Sequence, residues 1–219
     1  GHSLLLAGLA SGLALLLALF LGYGKRLHDS WPVRFAVRLA GMGYAVPGTV
    51  IAVGVIIPFA AFDNALDEWM RNRFGLSTGL LLSGTLVALL FAYMVRFLAV
   101  SLQTVEAGLG KIRQSMDEAA RSMGSHSREI IARVHIPMLK GSLLTALLLV
   151  FVDVLKELPA TLILRPFNFN TLAVRAYELA SDERLADASL AALSIVAVGI
   201  LPVILLSRSI THSRHAETT

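Results

Sequence analysis

The chain has 219 residues, 56% hydrophobic and 16% charged, with formal net charge +4 and no cysteine. A soluble domain carries about 25% charged residues, so an ordinary soluble globule is excluded, as are disulfides and thiolate metal sites. Mean hydropathy is +0.71 and the isoelectric point about 9.8; in a membrane chain that basicity reports orientation rather than nucleic acid.

A bilayer core of about 30 Å needs roughly 20 apolar helical residues, and five segments meet that requirement. The first covers 3–23 without a charge and ends at Lys25-Arg26. A cleaved signal peptide would carry its basic residues before the apolar run, not after it. The second covers 43–62 and holds Pro47, Gly48, Gly54 and Pro58. The third covers 76–95, with Gly79 and Gly84 expected to permit close helix contact. The fourth covers 141–164 and is interrupted by Asp153, Lys156 and Glu157. The fifth covers 188–207 and is followed by a polar tail. All are expected to be helices, because an isolated run in lipid must satisfy its own backbone.

Basic residues set the expected sidedness. Segments 24–42, 96–140 and 208–219 hold thirteen Lys and Arg, against five in 63–75 and 165–187. The positive-inside bias then places the N-terminus outside and the C-terminus in the cytoplasm. The outer segments are short. Trp69 suits the headgroup level, and a helix over 171–180 capped by Asn170 is expected in the second of them.

Between spans three and four lies a polar island, with a non-spanning loop expected over 101–140. Ser115 and Glu118 fit a capping box for a helix over 116–123, which Gly124 would stop. Ser127 can cap a second helix over 128–134 before Pro137 opens span four. Helix signals alone also fit a solvated amphipathic loop.

The spacing Glu118-Ala119-Ala120, Gly124, Val134, Ile136, Pro137 resembles the EAA loop of ABC importer permeases, with Val and Ile standing for the usual Ile and Leu. Gly43-Tyr44-Ala45-Val46-Pro47-Gly48, Val105-Glu106-Ala107-Gly108-Leu109 and Lys156-Glu157-Leu158-Pro159-Ala160-Thr161 are similar to the iron(III)-type branch of that family. So are Leu172-Ala173-Val174-Arg175 and Ala180-Ser181-Asp182-Glu183. The resemblance implies an all-α membrane protein of MetI-like permease fold, one domain over 1–219, in a bacterial inner membrane. It implies a transport permease rather than an enzyme, with the seven loop residues coupling to an ABC ATPase dimer. ATP and Mg would sit on that partner, since no G-x-x-x-x-G-K-S/T phosphate loop is present here. Further implied partners are a second permease half, fused or separate, a substrate-binding protein outside, and membrane lipid. That branch often fuses two halves. The chain resembles the second, without the first span of a six-span unit, and its Gly1 start fits a cut within a longer polypeptide or a cloning scar.

Asp153, Lys156 and Glu157 are spaced to share one helix face. Ionisable groups in lipid cost at least a few kcal/mol. With Pro159 they make a candidate translocation path or gate; an internal ion pair fixing helix packing, or a snorkelling Lys156, explains them equally. Carboxylates are suitable hard ligands for iron(III), although tight binding would trap the ion. Thiamine or polyamine are other solutes of related permeases, and an ion-gradient-driven transporter or a membrane anchor are competing classes. The six histidines are scattered, and His212 with His215 gives only a weak metal signal. No lysine and arginine stripe with interleaved aromatics suggests nucleic acid.

Overall fold

The computed structural model describes residues 1–28 and 30–216, with side chains at all of these except 127, 128, 202, 203 and 205–216. The described residues form helices joined by short turns. Four helical stretches are long and apolar enough to cross a membrane: His2–Leu27, Gly48–Phe74, Leu86–Leu109 and Ile131–Lys156. A fifth apolar stretch, Leu185–Leu201, opens the last helix, α10 (Leu185–Ala216). His212 and His215, and the basic tail residues Arg208 and Arg214, lie outside the described side chains.

The bundle centre is made by α1 (His2–Leu27), α4 (Leu86–Leu109) and α7 (Ile136–Lys156), which pack against one another. The burial pattern of α1 explains why. Apart from Leu6, its inward stripe is small (Ser3, Ala7, Ala10, Ser11, Ala14, Ala18 and Gly22), while Leu16 and Phe20 face outward. In lipid no hydrophobic force drives helices together, so small residues that let backbones approach carry the packing. Gly108 does the same between α4 and α7: a Cβ there would stand 2.7 Å from the Ser142 side chain. α1 and α4 run parallel, since their C-terminal ends meet at Lys25 and Glu106; α7 runs opposite, because its N-terminal end meets those same ends through His135.

Several boundaries differ from expectation. Residues 76–85 do not open a span. Asp63 accepts the backbone N–H groups of Leu82 and Ser83, and Asp67 those of Thr78 and Gly79. These carboxylates hold the segment as a loop in which Gly75, Gly79 and Gly84 take positive φ, and Thr85 then caps α4. Consequently α4 runs to Leu109, and 101–109 belongs to the bundle rather than to a loop. Arg96 likewise leaves the inner basic tally, which keeps its imbalance.

The second span is longer and broken. Trp31–Met42 forms a helix, α2, that climbs beside α4 to the level of Val95. A tight turn over Gly43–Ala45 follows, and α3 (Gly48–Phe74) continues past the expected end at 62. Segment 63–75, expected outside, is therefore mostly the last turns of α3. Span four is also broken: α7 stops at Lys156, and a short helix, α8 (Pro159–Leu164), resumes after Glu157-Leu158. The next helix, α9 (Leu172–Ser181), is capped by Thr171, whose side chain accepts from the Val174 N–H; Asn170 binds Arg165 instead.

Candidate functional site

Two polar constellations stand out, one at mid-bundle and one at the end where α1 and α4 finish.

The first lies where both broken spans meet α4. Arg96, near the midpoint of α4, donates from Nη1 to the Val46 carbonyl at 3.0 Å, and its Nε lies 3.4 Å from Glu157 Oε2. Glu157 Oε1 accepts the Ala160 N–H at 3.2 Å, so the carboxylate serves one of the donors freed where α7 gives way to α8. Pro159 contributes no N–H at that break. Thr161 donates to the Glu157 carbonyl at 2.6 Å, and its hydroxyl lies 2.6 Å from the Tyr93 hydroxyl. Two glycines make the approach possible. A Cβ at Gly43 would fall 1.6 Å from the Val95 carbonyl oxygen, and one at Gly48 would fall 2.6 Å from Glu157 Oε1. Two of the sequence strings singled out above, Gly43–Gly48 and Lys156–Thr161, thus converge on one largely buried ion pair.

This corrects the single-face reading of Asp153, Lys156 and Glu157. Asp153 and Lys156 pair at 2.8 Å, with Lys156 largely exposed. Glu157 has left the helix, with ψ 115°, and turns inward to Arg96; it is 6% exposed. The helix break separates it from the other two. Pro159 is exposed beside it.

The second constellation organises the loop. α5 (Gln114–Ser122) begins behind Arg113, with no side-chain cap, so the Ser115–Glu118 capping box does not form and Ser115 lies inside the helix. Tertiary contacts decide that start, because Arg26 Nη1 binds the carbonyls of Leu109 at 2.9 Å and Ile112 at 3.1 Å. The stop at Gly124 holds: φ is +87°, the Ser125 N–H returns to Ala120 and the Gly124 N–H to Arg121, a Schellman ending. The second helix is not separate. α6 (Ser127–Ile130) passes through one wide turn, Ile131–His135, into α7, with Glu129 reaching back to the His126 N–H. The Ser127 side chain lies outside the described residues. Among the loop residues, Glu118, Ala119, Gly124, Ile136 and Pro137 are exposed, Val134 is half-buried, and Ala120 is buried.

Asp117 ties this element down. One carboxylate oxygen accepts from Arg26 Nη2 at 2.8 Å, and the other lies 2.7 Å from His135 Nε2. Partial burial works against the carboxylate, yet the hydrogen bonds and charges of Arg26 and His135 outweigh it and hold the Asp117 carboxyl below its usual range.

Sequence reading missed Arg96, Arg26, Asp117 and His135 as functional residues. A lone arginine inside the apolar run of α4 was a readable signal, hidden by a span boundary set one residue before it. Arg26 was read only for sidedness. Among the described residues no group of three potential ligands could hold a metal ion.

The chain is similar to known transport proteins along most of its length. It is 27% identical over 207 residues to the Fe(3+)-transport system permease protein FbpB 2 of Haemophilus influenzae, covering 94% of this chain but 38% of that protein. It is 24% identical over 206 residues to the putative 2-aminoethylphosphonate transport system permease protein PhnV of Salmonella typhimurium, covering 94% of this chain and 72% of that one. In fold it matches the methionine ABC transporter MetNI in an inward-facing form (TM-score 0.70, 16% identity, 96% of this chain and 92% of that one). It also matches a bacterial alginate ABC transporter in complex with its periplasmic protein (TM-score 0.72, 15% identity, 96% and 77%). The family described as binding-protein-dependent transport system inner membrane component matches residues 14–213, and the chain belongs to it.

Proposed function

We propose that this chain is a permease half of an ATP-driven importer and that its cargo is iron(III). The observation that carries the reading is the joining, in one bundle, of a solvent-facing helix, α5, to two spans broken at the same depth around Arg96 and Glu157. Broken spans place polar backbone and charge in mid-membrane, where a permeating solute must pass. An exposed helix at one end offers a separate engine a surface to push on, and such an engine shifts a gate only by contacting its two states differently. ATP and Mg belong to that partner ATPase, which docks through Glu118, Ala119, Ala120, Gly124, Val134, Ile136 and Pro137. Asp153, Lys156, Glu157 and Pro159 form the gate region. Glu157 is committed to Arg96, so it acts in gating rather than as a ligand for the ion. The end bearing α5 is cytoplasmic, and the substrate-binding protein docks at the opposite end, near exposed Arg175. The cargo rests on the name of the Haemophilus relative.

The test is uptake of radiolabelled iron(III) by the complete transporter with its binding protein and ATPase in proteoliposomes. ATP-dependent iron uptake is the expected result. Uptake of 2-aminoethylphosphonate in its place would reassign the cargo and leave the permease reading standing. Glu118→Lys and Gly124→Trp should release the ATPase while the bundle stays folded. Since the chain holds no cysteine, Gly124→Cys gives a single thiol. Its labelling by an impermeant reagent from outside intact cells would reverse the sidedness and remove the coupling role.

A further inference from the structure

We infer that Arg26, Asp117 and His135 form a latch that transmits movement of α5 into α1 and α7, and that they are positioning residues for coupling. The inference rests on the coupling role proposed for α5.

The argument starts from how little else holds α5. Met116, Glu118, Ala119, Arg121, Ser122 and Met123 are all exposed, and Ala120 is its one fully buried residue. Asp117 is the residue through which α5 grips the bundle, and it does so with both carboxylate oxygens. Arg26 lies at the last turn of α1 with a side chain 13% exposed, and its Nη1 holds the carbonyls of Leu109, the end of α4, and of Ile112 just past it. A single guanidinium therefore joins α1, α4 and α5, using the fork geometry that lysine lacks.

His135 supplies the other arm. Ile130 and His135 are both buried and stand five residues apart, a spacing the wide turn at Ile131–His135 puts on one face. That turn aims His135 at Asp117 while Leu139, one α-turn further on, stays in the core. The imidazole also stacks on Tyr23 of α1, with ring centroids 5.6 Å apart. From His135 the chain runs without interruption along α7 to the break at Glu157. A displacement of α5 thus reaches the mid-bundle ion pair through one hydrogen bond and one helix. Charge-assisted bonds of this kind are short and about twice as strong as neutral ones, which suits a part that must bear load without slipping.

The experiment uses the complete transporter in proteoliposomes, with radiolabelled iron(III) as probe and two readouts: ATP hydrolysed and iron carried. Asp117→Asn and His135→Ala should retain the ATPase on purification and still hydrolyse ATP. Iron carried per ATP should fall about tenfold or more, the size of a typical coupling interaction. His135→Gln keeps an N–H donor where Nε2 stands and should recover most of the loss. Wild-type stoichiometry in both Asp117→Asn and His135→Ala would overturn the latch. So would loss of the ATPase from either, since that marks a docking contact. Equal defects in His135→Ala and His135→Gln would also overturn it, because packing alone would then explain the residue. Failure of the ATPase to accompany the wild-type chain would instead remove the coupling reading itself.

Discussion

The mid-bundle knot and the latch at α5 use the same parts in different surroundings. Each has an arginine that holds a carboxylate and also binds backbone carbonyl oxygen, one for Arg96 and two for Arg26. In the knot glycine lets backbone approach the pair, and the Glu157 carboxylate is enclosed, its side chain 7% exposed, while Arg96 is 21% exposed. In the latch Asp117 is 16% exposed and sits on a helix otherwise open to solvent. Enclosure of the Glu157 carboxylate makes the knot costly to disturb. Partial exposure lets the latch move with its helix while staying bonded.

The largest effect should come from breaking the enclosure itself. Gly43→Leu puts a side chain where the Val95 carbonyl already stands. No local shift accommodates a Cβ at that distance from backbone, so the expected outcome is loss of folded, membrane-inserted protein, read by size-exclusion of the detergent-solubilised chain. A monodisperse variant would show that α2 and α4 are not packed as described. Glu157→Ala comes next. It leaves the half-buried Arg96 without its countercharge, a change that costs up to about 3–5 kcal/mol, the figure for a fully buried pair. Thermal unfolding in detergent should fall accordingly, and transport should be lost. Glu157→Gln, which keeps the shape, separates the two consequences: a folded protein with wild-type transport would refute the gate role.

The latch should respond to pH. Asp117 is held below its usual range in the folded chain, so its bonds stabilise above the unfolded carboxyl value of about 3.9. That stability is lost as pH falls through the lower, folded value. Unfolding temperature measured from neutral pH down into this acid window should drop more steeply for the wild type than for Asp117→Asn. Identical slopes would mean that Arg26 and His135 do not hold the carboxylate as described.

How much of this was legible follows from chain separation. The five apolar runs report burial in lipid over some 20 residues each, so they could be read locally, as could the spacing from Glu118 to Pro137 and the stop at Gly124. The span limits could not. Whether 76–85 is helix or loop depends on Asp63, 19 residues before Leu82, and on Asp67, 11 before Thr78. The breaks at Gly43 and Glu157 depend on Arg96, which lies 50 residues from its carbonyl partner Val46. The latch spans 91 residues from Arg26 to Asp117. Local rules placed a capping box at Ser115 because they saw a serine and a glutamate at the right spacing; they could not see the guanidinium that fixes the preceding turn. Glycine made the knot half-visible, since two glycines flank a proline turn there, but only the neighbouring backbone shows why no other residue fits.

The smallest effect sharpens the comparison most, because it concerns the residue next to Arg26. Lys25 pairs with Glu106 at 2.6 Å, a shorter distance than any bond in the latch, and joins the same two helices. Distance alone would rank it first. Yet its partners are 42% and 30% exposed, and an exposed pair of flexible side chains contributes about 0–1 kcal/mol after solvent screening and entropy. Lys25 also offers a point charge where Arg26 offers a fork, and it binds no backbone carbonyl among the described residues. Lys25→Ala should therefore shift unfolding by no more than that amount, lose even this in high salt, and leave iron carried per ATP unchanged. A tenfold loss of coupling in Lys25→Ala, matching that expected of Asp117→Asn, would show that any tie between α1 and α4 suffices and that α5 is not steered through its own carboxylate.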